Sequence, residues 1–274
     1  MLLPAIDDDK EWRDQSLSTN DCDDVTYLAS TIEPPGTMVL SFNSVGAGAS
    51  QNHIHCHAWV CPPPPLLCRE DTAENSSGYY AVTKAPTTSS LHLANNGVTV
   101  SLLKYPCTCI KLSASLAFRS DDQVVNTYDN PDLDTPSSSP VLKQMGEVLS
   151  IIVQTAQEKK APHNVCWTNN NSPLKSHNDA PKRQSTNVDV YVFFRKAEST
   201  TTVNTGEIFR LGASEMLGVF HSSSKEQLDS LSNTMDNILS DVSWGPRETV
   251  WKEVCKALEI YMERERIIIP KCSS

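Results

Sequence analysis

Long apolar runs are missing from this sequence, and no uncharged stretch approaches the ~20 residues that a membrane-spanning helix needs. The opening MLLPAIDDDKEW has neither a basic n-region nor an apolar h-region, so no signal peptide is expected. Basic charge is also short. Lys and Arg number 23 against 33 Asp and Glu, a net charge of −10. That balance argues against general electrostatic attachment to nucleic acid or to an anionic membrane, although one basic or amide-rich pocket could still hold a small anion. Nine cysteines are present, but neither a compact disulfide framework nor a paired CxxC…CxxC pattern is visible. Cys107 and Cys109 lie one residue apart and Cys61 and Cys68 flank a proline run, so reduced thiols are expected rather than metal ligands. Internal repeats and heptad seams are absent as well. These absences describe a cytoplasmic protein without a membrane partner, and its 274 residues can bury a sizeable core.

What is present reads as mixed strands and helices without strict alternation, which favours α+β over a doubly wound parallel sheet. A short helix is expected around 20–31, then a β-rich run TMVLSF at 37–42. From His53 to Val60 apolar and polar residues alternate with strand periodicity, and the prolines at 62–65 stop the run. GYYAVTKA, GVTVSLLKY, CTCIKLSA, HNVCWT and VDVYVFFRK read as further strands. Residues 120–140 and 169–187 read as polar loops. Ser139 and Pro140 make a helix start, with Val141, Met145, Val148, Leu149 and Ile152 as its apolar stripe. Ser223 and Glu226 form a possible capping box for a helix carrying Leu228, Leu231, Met235 and Ile238. A last helix should begin near Pro246 and bury Trp251, Val254, Leu258 and Tyr261.

The chain has only seven histidines, yet three stand at alternate positions behind a Gly-Ala-Ser run, in SFNSVGAGASQNHIHCHAW. Strand spacing would set His53, His55 and His57 on one face, ~6.6 Å apart along the backbone. Neutral imidazole is a good nucleophile toward phosphorus, and a neighbouring one can move the leaving group's proton. Gly46, Gly48 and Ser50 permit a tight turn whose N–H groups and hydroxyl can meet phosphate oxygens, and Asn43 can add an amide donor. Zinc is the competing use of His-x-His, but no carboxylate or third ligand stands at a telling spacing. Three exposed strand histidines without a role is the other.

His53-Ile54-His55-Cys56-His57-Ala58-Trp59 resembles the signature of the histidine triad (HIT) superfamily of nucleotide hydrolases and transferases. FNSVGAGASQNHIHCHAW as a whole resembles the active-site stretch of its GDP-hexose phosphorylases, which act on GDP-D-glucose or GDP-L-galactose. APHNVCWT, VDVYVFFRK and GASEMLGVF resemble later segments of that group in the same order. The resemblance implies a HIT-like α+β fold, an antiparallel sheet flanked by helices. It implies one domain over 1–274, with 1–36 a polar lead-in, 37–118 the active-site sheet, and 139–265 the helices and strands of the C-terminal half. MLLP resembles the end of a strand well inside the family's domain, so the family's N-terminal strands are expected to be lacking. The resemblance makes His55 the nucleophile of a covalent nucleotidyl–histidine, His53 its orienting partner, and His57 the group facing phosphate or leaving group. Asn43, Gly48 and Ser50 match the phosphate-contacting part, whereas Asn164 and Arg195 fall in the weaker segments and receive no role. The implied partners are a GDP-hexose and inorganic phosphate, with no cofactor and no metal. Histidine at the third triad position leaves hydrolysis of dinucleoside polyphosphates or phosphoramidates open, and an inactive nucleotide- or protein-binding relative is the further alternative. The FNS context favours the phosphorylase.

Overall fold

The computed structural model describes residues 14–32, 38–51, 53–60, 80–93, 97–117, 139–172, 185–196, 199–201, 208–220 and 234–268. Met38–Asn43 (β1), His57–Val60 (β2), Thr87–Leu93 (β3), Val98–Leu103 (β4), Cys109–Ala117 (β5), His163–Ser172 (β6) and Ser185–Phe194 (β7) build one seven-stranded sheet. Its order is β2-β1-β6-β7-β5-β4-β3, and every neighbouring pair is antiparallel. Three helices flank it: Thr19–Thr31 (α1), Pro140–Glu158 (α2) and Arg247–Ile268, which is α5 after the short α3 and α4 below. The α+β class and the open antiparallel sheet flanked by helices are thus as expected. No helix among the described residues is long and apolar enough to cross a membrane.

Alternation along the strands sends successive side chains to opposite faces, and each face has its own core. On the helix side, Leu40, Phe42, Val100, Ile110, Leu112, Val165, Trp167, Val190 and Val192 share a core with Met145, Val148, Leu149 and Ile152 of α2 and Val254 and Leu258 of α5. Each such buried side chain is worth about 1.5–3 kcal/mol over its exposed state, so this face supplies most of the apolar stabilisation. α1 begins with a reciprocal capping box, Asp21 N–H to Ser18 Oγ and Ser18 N–H to Asp21 Oδ2. The opposite face is covered by the 3-10 turn Ala81–Lys84 and the short helices Ala213–Met216 (α3) and Met235–Asp241 (α4). Tyr191, Phe193, Cys109 and Cys166 lie beneath them. Ser199–Thr201 (β8) and Ile208–Arg210 (β9) pair as a separate ribbon.

Three expectations are corrected, and one strand is unmarked in the sequence. The histidine strand is shorter than His53–Val60, since regular pairing begins only at His57, with a single bridge at Cys56. The described part of GYYAVTKA, residues 80–85, does not give a strand. Thr83 N–H and Oγ1 both bond the Tyr80 carbonyl and close a 3-10 turn there instead. TTSSLHL, unmarked by its sequence, is β3, a sheet edge whose outer positions face solvent and need no apolar residue. Residues 169–172 and 185–187 are not loop, because backbone pairing continues from Asn169↔Val188 to Ser172↔Ser185 whatever the side chains. Asn169 also donates to the carbonyls of Ser30 and Ile32 at the end of α1. The Ser223–Glu226 box, Leu228, Leu231, the 62–65 prolines, Cys61, Cys68 and most of 120–140 lie outside the described residues.

Candidate active site

β1 and β2 pair as far as Ser41↔His57 and then separate. Two residues further the places of Asn43 and His55 are bridged not by each other but by a side chain. Gln15, 3% exposed, donates from Nε2 to the Asn43 carbonyl at 2.8 Å and the His55 carbonyl at 3.2 Å, and its Oε1 accepts from His55 N–H at 3.0 Å. The carboxamide takes the place of ladder bonds, which explains why the strand stops short and why the nucleophile candidate's backbone is still fully satisfied. Nothing in the polar 5–36 region marks Gln15 in advance.

The three imidazoles stand in line. Ring centroids are 5.2 Å apart for His53–His55 and 4.9 Å for His55–His57. His55 is buried and its neighbours half-buried. His55 Nδ1 lies 2.8 Å from the His53 carbonyl. A carbonyl can only accept, so Nδ1 carries the proton and the Nε2 lone pair is left for chemistry. His57 sits below the ordinary histidine range, first because burial disfavours its charged form and then because of His55 beside it. An anion placed against it would reverse that.

Between β1 and the triad the chain turns through Ser44–Ser50. Ser44 N–H bonds the His163 carbonyl, and its Oγ accepts from His163 N–H at 2.7 Å. Gly48 has φ +91°, and a Cβ there would lie 2.8 Å from the Leu211 carbonyl, so the turn can approach that loop only with glycine. Ser50 is exposed at the end of the turn.

Behind this turn lies a buried polar network. Asn164 Nδ2 donates to Asn43 Oδ1 at 2.7 Å and to the Ala47 carbonyl at 2.8 Å. Arg195, 0% exposed, reaches from Nη1 to Asn164 Oδ1, the Ala47 carbonyl and the Leu211 carbonyl at 3.0, 3.1 and 2.7 Å. Both residues lie in segments that the sequence left without a role. The signal available was that HNVCWT and VDVYVFFRK follow the triad in a set order, and β1, β6 and β7 place their ends side by side. The third such segment, GASEMLGVF, opens with Gly212, whose N–H donates to Glu215 Oε2 at 2.8 Å.

A cavity of about 540 Å³ opens beside His57. Its walls include Ser41, Asn43, Trp59, Tyr80, Ser214 and Val219. The structure therefore brings Asn43, His55 and His57 to one place, with His53 flanking. Gly48 and Ser50 belong to the adjoining turn rather than to the cavity wall. Among the described residues, no group of three or more His, Cys, Asp or Glu is arranged to hold a metal ion. The described cysteines are free thiols, and burial pushes Cys56 and Cys107 up to about 12, so they stay protonated and unreactive.

No family model and no curated protein matches the sequence. Among solved structures the chain is similar to yeast Ap4A phosphorylase Apa2 in complex with AMP, at 16% identity and TM-score 0.43 over 85% of this chain and 66% of that one. It is also similar to a uridylyltransferase, at 12% identity and TM-score 0.38 over 89% and 69% of the two chains. The chain thus spans about two thirds of the length of each of these structures. Likeness this distant carries no argument about chemistry, which has to come from the site itself.

Proposed function

We propose that the protein is a nucleotidyltransferase of the histidine triad type, a GDP-hexose phosphorylase. His55 Nε2 attacks the α-phosphorus of the GDP-hexose, hexose 1-phosphate departs with the β-phosphate, and a guanylyl–histidine remains. Inorganic phosphate then attacks the same phosphorus, the P–N bond breaks and GDP leaves, restoring the neutral imidazole. Asn43, with Gly48 and Ser50 in the adjoining turn, provides donors to the equatorial oxygens in both displacements. His53 orients His55, and His57 stands at the leaving group. Trp59 and Tyr80 give the cavity faces on which a base can stack, and its size suits a nucleoside. This chemistry calls for no metal.

The observation that carries the reading is the row of three imidazoles beside the cavity, with His55 5.2 and 4.9 Å from its two neighbours and its Nδ1 bonded to the His53 carbonyl. It supports a nucleophile with its free lone pair on Nε2 and a fixed ring direction, between two half-buried imidazoles. The test is product analysis from GDP-glucose with and without phosphate. GDP and glucose 1-phosphate are expected only when phosphate is added. GMP formed at the same rate without phosphate would point to the hydrolase, and no turnover of any GDP-hexose or dinucleoside polyphosphate would point to a binding protein.

A further inference from the structure

A carboxamide has nearly the same shape either way round, so its neighbours decide which end meets a ligand. Asn164 sits between two groups that have no choice. Arg195 Nη1 can only donate, and it lies 3.0 Å from Asn164 Oδ1. The Ala47 carbonyl can only accept, and it lies 2.8 Å from Asn164 Nδ2. One orientation of Asn164 satisfies both. Its second N–H then points at Asn43, 2.7 Å away, and must be met by oxygen. Asn43 is thereby held with Oδ1 inward and its NH2 group turned the other way. A Cβ built on Gly212 would lie 3.9 Å from that Nδ2, and Asn43 and Gly212 both line the cavity beside His57.

We propose that Arg195 and Asn164 are positioning residues that fix the hydrogen-bond polarity of the cavity, so that Asn43 presents donors to a nucleotide's phosphate oxygens. This rests on the reading of the cavity as a nucleotide site and adds what selects the phosphate there. Arg195 acts through others. Its Nη1 is spent on Asn164 and on the carbonyls of Ala47 and Leu211, which belong to the turn and the loop that approach each other at Gly48. The positive charge of the buried guanidinium enforces the direction of the relay, because a guanidinium never accepts.

The test compares GMP and guanosine binding by titration calorimetry in the wild type, Asn164→Asp, Asn43→Ala and the double variant. Asp at 164 keeps the acceptor for Arg195 in nearly the same volume but cannot donate to Asn43. The Asn43 amide then turns round and shows the cavity an oxygen. GMP affinity should fall by roughly tenfold or more, a single charged hydrogen bond's worth, while guanosine affinity holds. In the Asn43→Ala background, Asn164→Asp should have almost no further effect on GMP. Equal losses for GMP and guanosine, as a merely structural role would give, would overturn the proposal. So would a full loss persisting without Asn43, which would mean plain repulsion by the new charge. Should Asn164→Asp fold poorly, Asn43→Asp, which accepts from Asn164 and turns its other oxygen to the cavity, must show the same selective loss, and a non-selective one overturns the proposal. If the wild type binds none of GMP, AMP or UMP, the nucleotide reading itself falls and takes this one with it. If it binds GMP but the variants leave the selectivity unchanged, only the relay falls.

Discussion

The two faces of the sheet each hold a buried histidine with the same local bond, and the two differ in everything else. His55 and His163 both give the Nδ1 hydrogen to the carbonyl two residues upstream, at 2.8 and 3.1 Å, and both are at most 2% exposed. His163 packs against Phe42 on the helix side, 6.0 Å between ring centroids, and its Nε2 is sealed without a partner among the described residues. His55 has imidazoles on both sides and a cavity next door, lined by His57. A fixed tautomer is therefore not what distinguishes a nucleophile. The distinction lies in whether the free nitrogen can be reached and in whether the surroundings can carry charge.

The largest effect that separates the two is kinetic. His55→Ala should reduce GDP-hexose turnover by roughly 10⁴-fold or more with the fold intact by circular dichroism. His163→Leu should leave turnover near the wild-type rate, and a comparable loss there would erase the contrast. Next comes stability on the polar face. Arg195→Met strands the Asn164 oxygen and the Leu211 carbonyl, while the Ala47 carbonyl keeps only its bond from Asn164, and thermal unfolding should show a loss of about 3–5 kcal/mol. Gln15→Ala is smaller. It leaves the His55 N–H and two carbonyls unpaired, so about 1–3 kcal/mol is expected, with a fall in kcat that Gln15→Glu does not restore, because a carboxylate cannot donate.

The smallest effect is in pH. Burial holds both His57 and His163 below the ordinary value of about 6.5, with His55 adding to the shift at His57 and the Ala161 carbonyl opposing it at His163. Between the folded and unfolded values the unfolded chain binds more protons. The stability tied to neutral imidazoles is therefore present above about 6.5 and is lost as pH falls through the folded values. Tm followed from pH 8 to pH 5 should decline at the acidic end, and less steeply in His163→Leu. A flat profile in the wild type would contradict the burial assigned to both rings.

Legibility in the sequence followed the same division. The helix side was readable because apolar periodicity reports burial directly: the α2 stripe from Val141 to Ile152 and the α5 positions Val254 and Leu258 lie where their spacing puts them. The triad was readable because three histidines at alternate positions are uncommon. Gln15, Asn164 and Arg195 were not, since a buried polar residue is specified by partners 16 to 148 positions away, such as Leu211 and Ala47, and no local pattern announces them. Strand ends were misplaced for a related reason. The β6–β7 ladder runs on through Asn169–Ser172 on backbone bonds alone, and the histidine strand ends early where the Gln15 amide takes the ladder's place.

The central claim is that His55 Nε2 takes the nucleotidyl group. Intact-protein mass spectrometry after incubation with GDP-glucose in phosphate-free buffer tests it most directly, beside His55→Ala. An acid-labile increase equal to one guanylyl group, absent from His55→Ala and discharged as GDP when phosphate is added, is the predicted result. An adduct that survives in His55→Ala, or none with any GDP-hexose or dinucleoside polyphosphate, would contradict it.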